Sequence, residues 1–209
     1  GVKIVERFAF HDCSALTDAE CSKLEIIEEM AFYKCKSLRS INLPSTKIVK
    51  EDAFAFCKAL AGAQFGNELE RFKYRAFNKC RSLERITIPL KDDIFATDNI
   101  FQGCGKLKHI DLVEGALHET IAALHLEEWR KDMSQEINSI SQILPNADAG
   151  GKYDYAIEEV TAGEKTHVIR TWIRSLIRKI TRYKEEHQGL LNEANTALQL
   201  TLPQDIVMN

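Results

Sequence analysis

Apolar residues in the first half of the chain recur in a pattern whose copies are 22 to 24 residues apart. Each copy has a Phe, a Cys three residues later and a Leu three residues after the Cys, followed by apolar residues at alternate positions. Alternation of this kind predicts one short strand per turn, with one buried face. A period in the twenties is typical of a solenoid. The repeated positions are Phe10, Phe32, Phe54, Phe77 and Phe101, and Cys13, Cys35, Cys57, Cys80 and Cys104.

Equivalent residues of stacked turns lie about 4.8 Å apart, so each repeated position predicts a column of like side chains. The phenylalanines are expected to stack as an internal aromatic column. The cysteines are expected to form a column of buried free thiols, because five in-register cysteines plus Cys21 offer no natural disulfide pairing. Free thiols favour a reducing, intracellular compartment, but the sequence does not identify the compartment.

The consensus A-F-x-x-C-x-x-L-x-x-I-x-[IL]-P over residues 1–114 resembles the BspA-like leucine-rich repeat. With the tail that follows, the chain is similar to repeat proteins of this type that are abundant in diatoms. The resemblance implies an α/β solenoid, a leucine-rich-repeat stack of about five turns with short parallel strands. It implies no particular activity, because the family is defined by its scaffold. The chain starts in mid-repeat with neither an initiator methionine nor a signal peptide, so we expect a fragment or a processed product.

Residues 115–209 predict a second unit, an all-α antiparallel helical hairpin. Apolar residues at intervals of three and four predict helices at about 116–144 and 164–200, joined by a loop over 145–163. Pro145 ends the first helix because proline lacks an amide donor and restricts the preceding residue. Later in the second helix the intervals settle into coiled-coil spacing.

Charged stripes at i, i+4 spacing predict the register of this hairpin. A hairpin whose facing residue numbers sum to 310 brings an acidic stripe beside a basic one and also Met133 beside Ile177. The alternative is that the basic stripe, Arg170, Arg174, Arg178 and Arg182, faces a protein partner, a nucleic acid or a lipid. The predicted pairs are Glu128 with Arg182, Asp132 with Arg178, and Glu136 with Arg174.

Composition and motifs exclude several classes of function. A net charge of −3 and a pI near 6.1 argue against bulk binding of nucleic acid or anionic membrane. No apolar run is long enough to predict a transmembrane helix. His118 and His125 lack the H-E-x-x-H pattern, since Ala122 stands at the second histidine's place. The sequence predicts no enzyme, no cofactor and no metal site, because no motif supplies a nucleophile, a base and an oxyanion donor together.

The polar positions between the apolar strand residues are the best candidate binding surface. Stacking aligns them into two rows across one sheet face, and repeat proteins use extended faces of this kind to bind other proteins. We therefore expect a non-catalytic protein–protein interaction module that binds through this face, the helical tail, or both. The alternative is a structural or accessory subunit of a larger assembly. Size-exclusion chromatography of the isolated chain distinguishes the two hypotheses, since an interaction module should be monomeric and a subunit should aggregate alone. The rows are Asp18, Ser40, Gly62, Arg85 and His109, and Glu20, Asn42, Gln64, Thr87 and Asp111.

Overall fold

A computed structural model describes residues 1–113, 126–144 and 155–201, with side chains described only for 165–197 of the last range. Residues 1–113 form a solenoid of about five turns in which successive turns pair through two parallel sheets. The major sheet consists of β3 (Ser40–Leu43), β5 (Gly62–Phe65), β7 (Arg85–Ile88) and β8 (His109–Leu112). The minor sheet consists of β1 (Ile4–Val5), β2 (Ile26–Ile27), β4 (Ile48–Val49) and β6 (Arg71–Phe72).

The minor sheet is a feature that the sequence prediction of one strand per turn missed. Its two-residue strands pair in register one repeat apart, with Ile26 opposite Ile4 on one side and Ile48 on the other. A large apolar residue stands five positions before each of the first four column phenylalanines, at Val5, Ile27, Val49 and Phe72, and this was the available signal. A pair of residues is too short to show an alternation, so periodicity alone did not find these strands.

The major sheet has the predicted register. Ile41 pairs with Ala63, Ala63 with Ile86, and Ile86 with Ile110. In β3 and β5 the buried residues alternate with exposed or half-buried ones, so one face of the strand lies on the core and the other on the surface.

The phenylalanine column forms as predicted. Ring centroids of successive phenylalanines lie 5.1, 5.2, 5.3 and 5.8 Å apart from Phe10 to Phe101, with rings within 24° of parallel. Phe32, Phe54, Phe77 and Phe101 are fully buried, whereas Phe10, in the first turn, is 39% exposed. The column is therefore continuous through the solenoid, and only its first ring contacts solvent.

The cysteine column consists of free thiols, as predicted. Each thiol beyond the first donates to the carbonyl of the phenylalanine in the preceding turn, as Cys57 does to Phe32 at 3.1 Å and Cys80 to Phe54 at 3.0 Å. Cysteine is therefore more than a small apolar filler here, because its weak donor satisfies a buried carbonyl between turns. Burial raises the pKa of the Cys80 thiol well above its ordinary value, and burial also raises that of Cys21.

We expect this burial to be measurable as low thiol reactivity. A disulfide reagent must reach the sulfur atom in order to react, and a thiol buried in the core is inaccessible to it. Of the six cysteines, Cys13 alone is half-buried rather than buried. Titration of the folded protein with Ellman's reagent should release about one equivalent rapidly, and all the cysteines should react in guanidinium chloride. Rapid reaction of three or more thiols in the folded protein would contradict this burial.

The five cysteines of the column are called the ladder cysteines below. The residue directly before each of them has a left-handed backbone and forms the turn between the phenylalanine and the major sheet. Asp12, Lys34, Phe56 and Lys79 have φ between 56° and 63°, and Gly103 has φ 73°. Side chains other than glycine are strained in this region. The backbone is held there by hydrogen bonds between turns, such as Lys34 N to Ala55 O at 2.9 Å.

Two helices follow the solenoid. Helix α1 spans Glu127–Ile143, and α2 spans Tyr155–Thr201. They run antiparallel, since Trp129 stacks on Tyr183 at 4.8 Å while Trp172 donates from Nε1 to the carbonyl of Glu136 at 3.0 Å. Among the described helices, none is long and apolar enough to cross a membrane.

The helix boundaries differ from the prediction at two points. Helix α2 begins at Tyr155, nine residues before the predicted start, so part of the predicted loop 145–163 is helical. The backbone at Leu126 is extended, with φ −92° and ψ 125°, so a continuous helix over 116–144 is wrong. Residues 114–125, which include His118 and His125, lie outside the described residues.

The predicted ion pairs of the hairpin are wrong, although its antiparallel arrangement is right. Asp132 pairs with Lys179 at 2.8 Å and accepts a hydrogen bond from the Tyr183 hydroxyl. Glu136 contacts Lys179 at 3.3 Å and Ser175 at 3.2 Å. Hydrogen bonds from Lys179 and Tyr183 lower the pKa of Asp132 below its ordinary value. None of the pairs Glu128–Arg182, Asp132–Arg178 and Glu136–Arg174 forms, because α2 is rotated so that lysine and tyrosine face α1.

The arginine stripe contacts the solenoid instead. Arg170 forms an ion pair with Asp98 and donates to the carbonyls of Phe95 at 3.1 Å and Thr97 at 3.0 Å. Arg174 Nε lies 2.6 Å from Asp92. Arg178 is exposed, and Arg182 lies 3.4 Å from Glu186 on its own helix. The first two arginines therefore attach α2 to the last turn, which the sequence analysis did not predict.

Lys165 of α2 closes the end of the solenoid. The side chain is 2% exposed, and its Nζ donates to the carbonyls of Cys104 at 3.0 Å, Gly105 at 2.7 Å and Leu107 at 3.1 Å. Beside it, Thr166 accepts a hydrogen bond from the amide of Phe101 at 3.4 Å. Within residues 1–113 no further turn follows the last one, and α2 supplies hydrogen-bond partners to its backbone.

Candidate functional site

The two predicted polar rows form on the outer face of the major sheet. Ser40 pairs with Gly62, Gly62 with Arg85 and Arg85 with His109 in one row. The other row is equally in register, and a bridge from Glu20 to Asn42 extends it into the first turn. Most of the row side chains are exposed, and Gly62, Thr87 and Asp111 are half-buried. Asp18 is exposed in the first turn, outside the named strands.

Helix α1 lies beside the last strands of this face and converts part of it into a cleft. The cleft has a volume of about 650 Å³. Its floor is formed by row residues, and one wall is formed by the α1 residues Ile137, Asn138 and Ser141. Ile140 of α1 is buried near Ile110 of β8 and attaches the wall to the sheet. The row residues that line the cleft are Gln64, Arg85, Thr87, His109 and Asp111.

The lining of the cleft is about half polar and half apolar, and it has little net charge. Arg85 Nη1 donates to both carboxylate oxygens of Asp111, at 2.8 and 2.6 Å, which neutralises the two charges locally. Gln64, Thr87 and Asn138 present amide and hydroxyl groups that both donate and accept hydrogen bonds. Together with the apolar Ile137, this arrangement suits the backbone and polar side chains of a polypeptide rather than a charged small molecule. Because Arg85 and Asp111 lie in different turns, their ion pair also fixes the floor across β7 and β8.

The α1 wall is the part of the site that sequence reasoning missed. Asn138 and Ser141 lie on a helix that is predicted only by its apolar residues, and no sequence signal showed which strand the helix packs against. The sequence also gave no indication that the cleft ends at β8, since this depends on where the hairpin folds back. Among the described residues, no group of three or more His, Cys, Asp and Glu side chains is placed to hold a metal ion.

A smaller cavity of about 370 Å³ lies between the minor-sheet side of the last turn and α2. It is lined by Arg71, Asp92, Asp93, Arg170 and Arg174, among others. Arg170 and Arg174 already form ion pairs with Asp98 and Asp92 across this junction. The cavity is therefore part of the attachment of α2.

Comparison with known protein families decides the identity of the scaffold. A model of the BspA-type leucine-rich repeat region matches residues 1–121 in six copies. The chain belongs to the BspA-type leucine-rich-repeat family. Leucine-rich-repeat proteins generally mediate protein–protein interactions and are typically non-catalytic. The match covers the solenoid with its rows and ladder cysteines, whereas α1 and α2 lie beyond it.

Two solved structures are similar to this BspA-type protein. A leucine-rich repeat protein of T. pallidum (TpLRR) is 21% identical, with 60% of this chain and 78% of that chain covered and a TM-score of 0.45. One from Bacteroides ovatus is 26% identical, with 52% of this chain covered and a TM-score of 0.40. The match spans 34% of the B. ovatus chain. No curated protein matches the sequence.

Proposed function

We propose that this leucine-rich-repeat protein is a non-catalytic interaction module that binds a partner protein in the cleft between the major sheet and α1. The observation that carries the proposal is the pair of aligned polar rows, which the fold presents on one rigid face and which α1 borders at one end. Rows held by a parallel ladder cannot move relative to one another, so a partner loses little free energy in ordering them.

The size of the face supports a protein partner. The rows cross about five turns, and at about 4.8 Å per turn they extend for about 19 Å. The cleft occupies only the last turns, while Ser40, Asn42 and Glu20 continue the exposed surface beyond it. A stable protein interface needs about 800 Å² on each partner, so we expect contact with both the cleft and the open part of the rows.

Arginine substitutions at two row positions test this assignment. N42R and Q64R place bulky charges in the middle of the face, where both native side chains are exposed and the fold does not depend on them. The matched control is N67R with Q188R, the same residue types at exposed positions elsewhere. The parent and both double variants serve as bait in an extract of the source cells, and the captured proteins are quantified by mass spectrometry. Each protein that the parent captures specifically is then purified and titrated against the parent and the two variants.

We expect the binding partner to lose at least about tenfold in affinity for N42R/Q64R, because a clash at the centre of an interface typically costs more than about 1.4 kcal/mol. N67R/Q188R should bind within about twofold of the parent. Equal binding by all three forms would exclude the major-sheet face as the binding surface. The role as an accessory subunit of a larger assembly stays a prediction.

A further inference from the structure

Positively charged residues are concentrated in the turns that contain the ladder cysteines, although the net charge of the whole chain is −3. Within two residues of these cysteines there are six Lys and Arg residues and one acidic residue, Asp12. The rest of residues 1–113 has 12 basic and 15 acidic residues. The solenoid therefore has one basic edge, which we call the basic ridge. It consists of Lys34, Lys36, Lys58, Lys79, Arg81 and Lys106.

Backbone hydrogen bonds between turns hold the successive turns together at the ridge. Asp12 N donates to Tyr33 O at 2.7 Å, Lys34 N to Ala55 O at 2.9 Å, and Phe56 N to Asn78 O at 2.7 Å. The donors are the left-handed residues directly before the cysteines, so the bonds fix the spacing between successive turns at the ridge. From the turn of Lys36 to that of Lys106 there are three turn spacings, or about 14 Å.

The ridge side chains are accessible. Lys36, Lys58, Arg81 and Lys106 are exposed, and Lys34 and Lys79 are half-buried. Lys34 Nζ lies 5.2 Å from the centroid of the Tyr33 ring, and Lys79 Nζ lies 5.4 Å from that of Phe56. The residues that follow the exposed cations in three successive turns are small, namely Ser37, Ala59 and Ser82. A chain lying along the ridge therefore meets charges and aromatic rings without a bulky neighbour beside the exposed cations.

We propose that the basic ridge binds an acidic segment of a partner protein in an extended conformation. Alternate side chains of an extended chain lie about 6.6 to 6.8 Å apart on one face, so two or three carboxylates fit within about 14 Å. Long, flexible lysines tolerate the small mismatch between this spacing and that of the turns. The structure contains one example of the contact, since the carboxylate of Asp12 lies 3.4 Å from Lys36 Nζ at the first end of the ridge. This surface is separate from the polar rows.

The charge distribution favours a short acidic peptide over a nucleic acid or a membrane. The ridge extends for only about 14 Å, whereas a nucleic acid or an anionic bilayer continues past its ends. Beyond the ridge such a polyanion meets a molecule whose total charge is −3, which repels it. An acidic segment of about five residues contacts the cations alone.

Fluorescence anisotropy with a synthetic peptide tests the proposal. The probe is a fluorescein-labelled peptide of about nine residues with Glu and Ser alternating, and its matched control has Gln in place of Glu. The variant K36Q/K58Q/R81Q removes three exposed cations of the ridge. The control variant K23Q/K131Q/R178Q removes three exposed cations elsewhere, so both variants have the same net charge. Thermal unfolding followed by circular dichroism confirms that both are folded.

We expect the Glu peptide to bind in low salt and the Gln peptide not to bind. The ridge variant should lose about tenfold in affinity, from three exposed charge contacts of modest individual strength. The control variant should stay within about twofold. Raising the salt to about 150 mM should weaken binding, because exposed charges are screened over about 8 Å. N42R/Q64R should bind the peptide like the parent, so failure of the ridge and failure of the polar rows are distinguishable.

Three outcomes would overturn the proposal. The first is that the Gln peptide binds as well as the Glu peptide, and the second is that both variants lose affinity equally. The third is that a single-stranded oligonucleotide, or vesicles containing phosphatidylserine, bind the ridge more tightly than the peptide does. In the third case the ridge recognises a different polyanion.

Discussion

Replacing Phe54 with alanine is expected to lower the free energy of unfolding by about 4 kcal/mol. The ring is fully buried and stacks on Phe32 at 5.2 Å and on Phe77 at 5.3 Å. Truncation removes the ring from both contacts and leaves a cavity in the centre of the column, which a close-packed solenoid fills only partly. Because each turn is stabilised by its neighbours, the loss affects the turns on both sides.

The measurement is urea denaturation of the parent and of two alanine variants. Phe10 is the matched control, since the same side chain at the first position of the column is 39% exposed and stacks on Phe32 alone. We expect F10A to cost less than about half as much as F54A, because much of its ring is already in water. Equal losses for the two variants would show that burial in the column does not decide the stability of the solenoid.

Replacing Lys165 with methionine is expected to lower the free energy of unfolding by about 3 kcal/mol. The ammonium group donates to three carbonyls at the end of the solenoid, at 2.7 to 3.1 Å. Methionine fills the same space but donates nothing, so buried carbonyls lose their partner at a cost of about 1 to 3 kcal/mol each, lessened where the backbone relaxes. The last turn and α2 should separate more easily as a result.

Lys184 supplies the control for this substitution, because it lies on the same helix and is exposed. K184M should change stability by less than about 0.5 kcal/mol. Hydrogen exchange followed by mass spectrometry should show faster exchange in residues 100–112 of K165M and unchanged exchange near Phe32. A K165M protein as stable as the parent would mean that Lys165 does not hold the end of the solenoid.

The repeat could be predicted from the sequence because its physics is local and periodic. An apolar residue that recurs at a fixed interval must stack on its copies once the turns are stacked, so the phenylalanine and cysteine columns followed directly. The polar rows followed from the same argument, since positions between buried strand residues face outward. The column of thiols gained one property that periodicity did not show, the hydrogen bond from each thiol to the preceding turn.

The arginine stripe shows where this reasoning fails. The i, i+4 spacing of Arg170, Arg174 and Arg178 fits any acidic surface, and the prediction from the sequence placed it against α1 or an outside partner. Helix α2 contacts two neighbours, and its buried residues, such as Ile169, Trp172 and Leu176, orient it toward both. Burial of these side chains outweighs exposed ion pairs worth about 0 to 1 kcal/mol, so the core decided the rotation.

Gly66 is a similar case at the level of one residue. A Cβ at this position would lie 2.1 Å from the carbonyl oxygen of Pro44 in the preceding turn, so only glycine fits. The sequence shows a glycine after a strand and a proline 22 residues earlier, but not how closely their backbones approach.

The sequence by itself determined the solenoid, its period, the contents of its columns and the face on which the polar rows lie. These properties depend on contacts between neighbouring copies of one pattern, and every copy of that pattern can be seen in the sequence. Only the tertiary structure decided where α2 closes the last turn and how α1 makes a cleft. Those contacts join different elements once each, so no repetition reveals them, and they depend on which packing buries the most apolar surface.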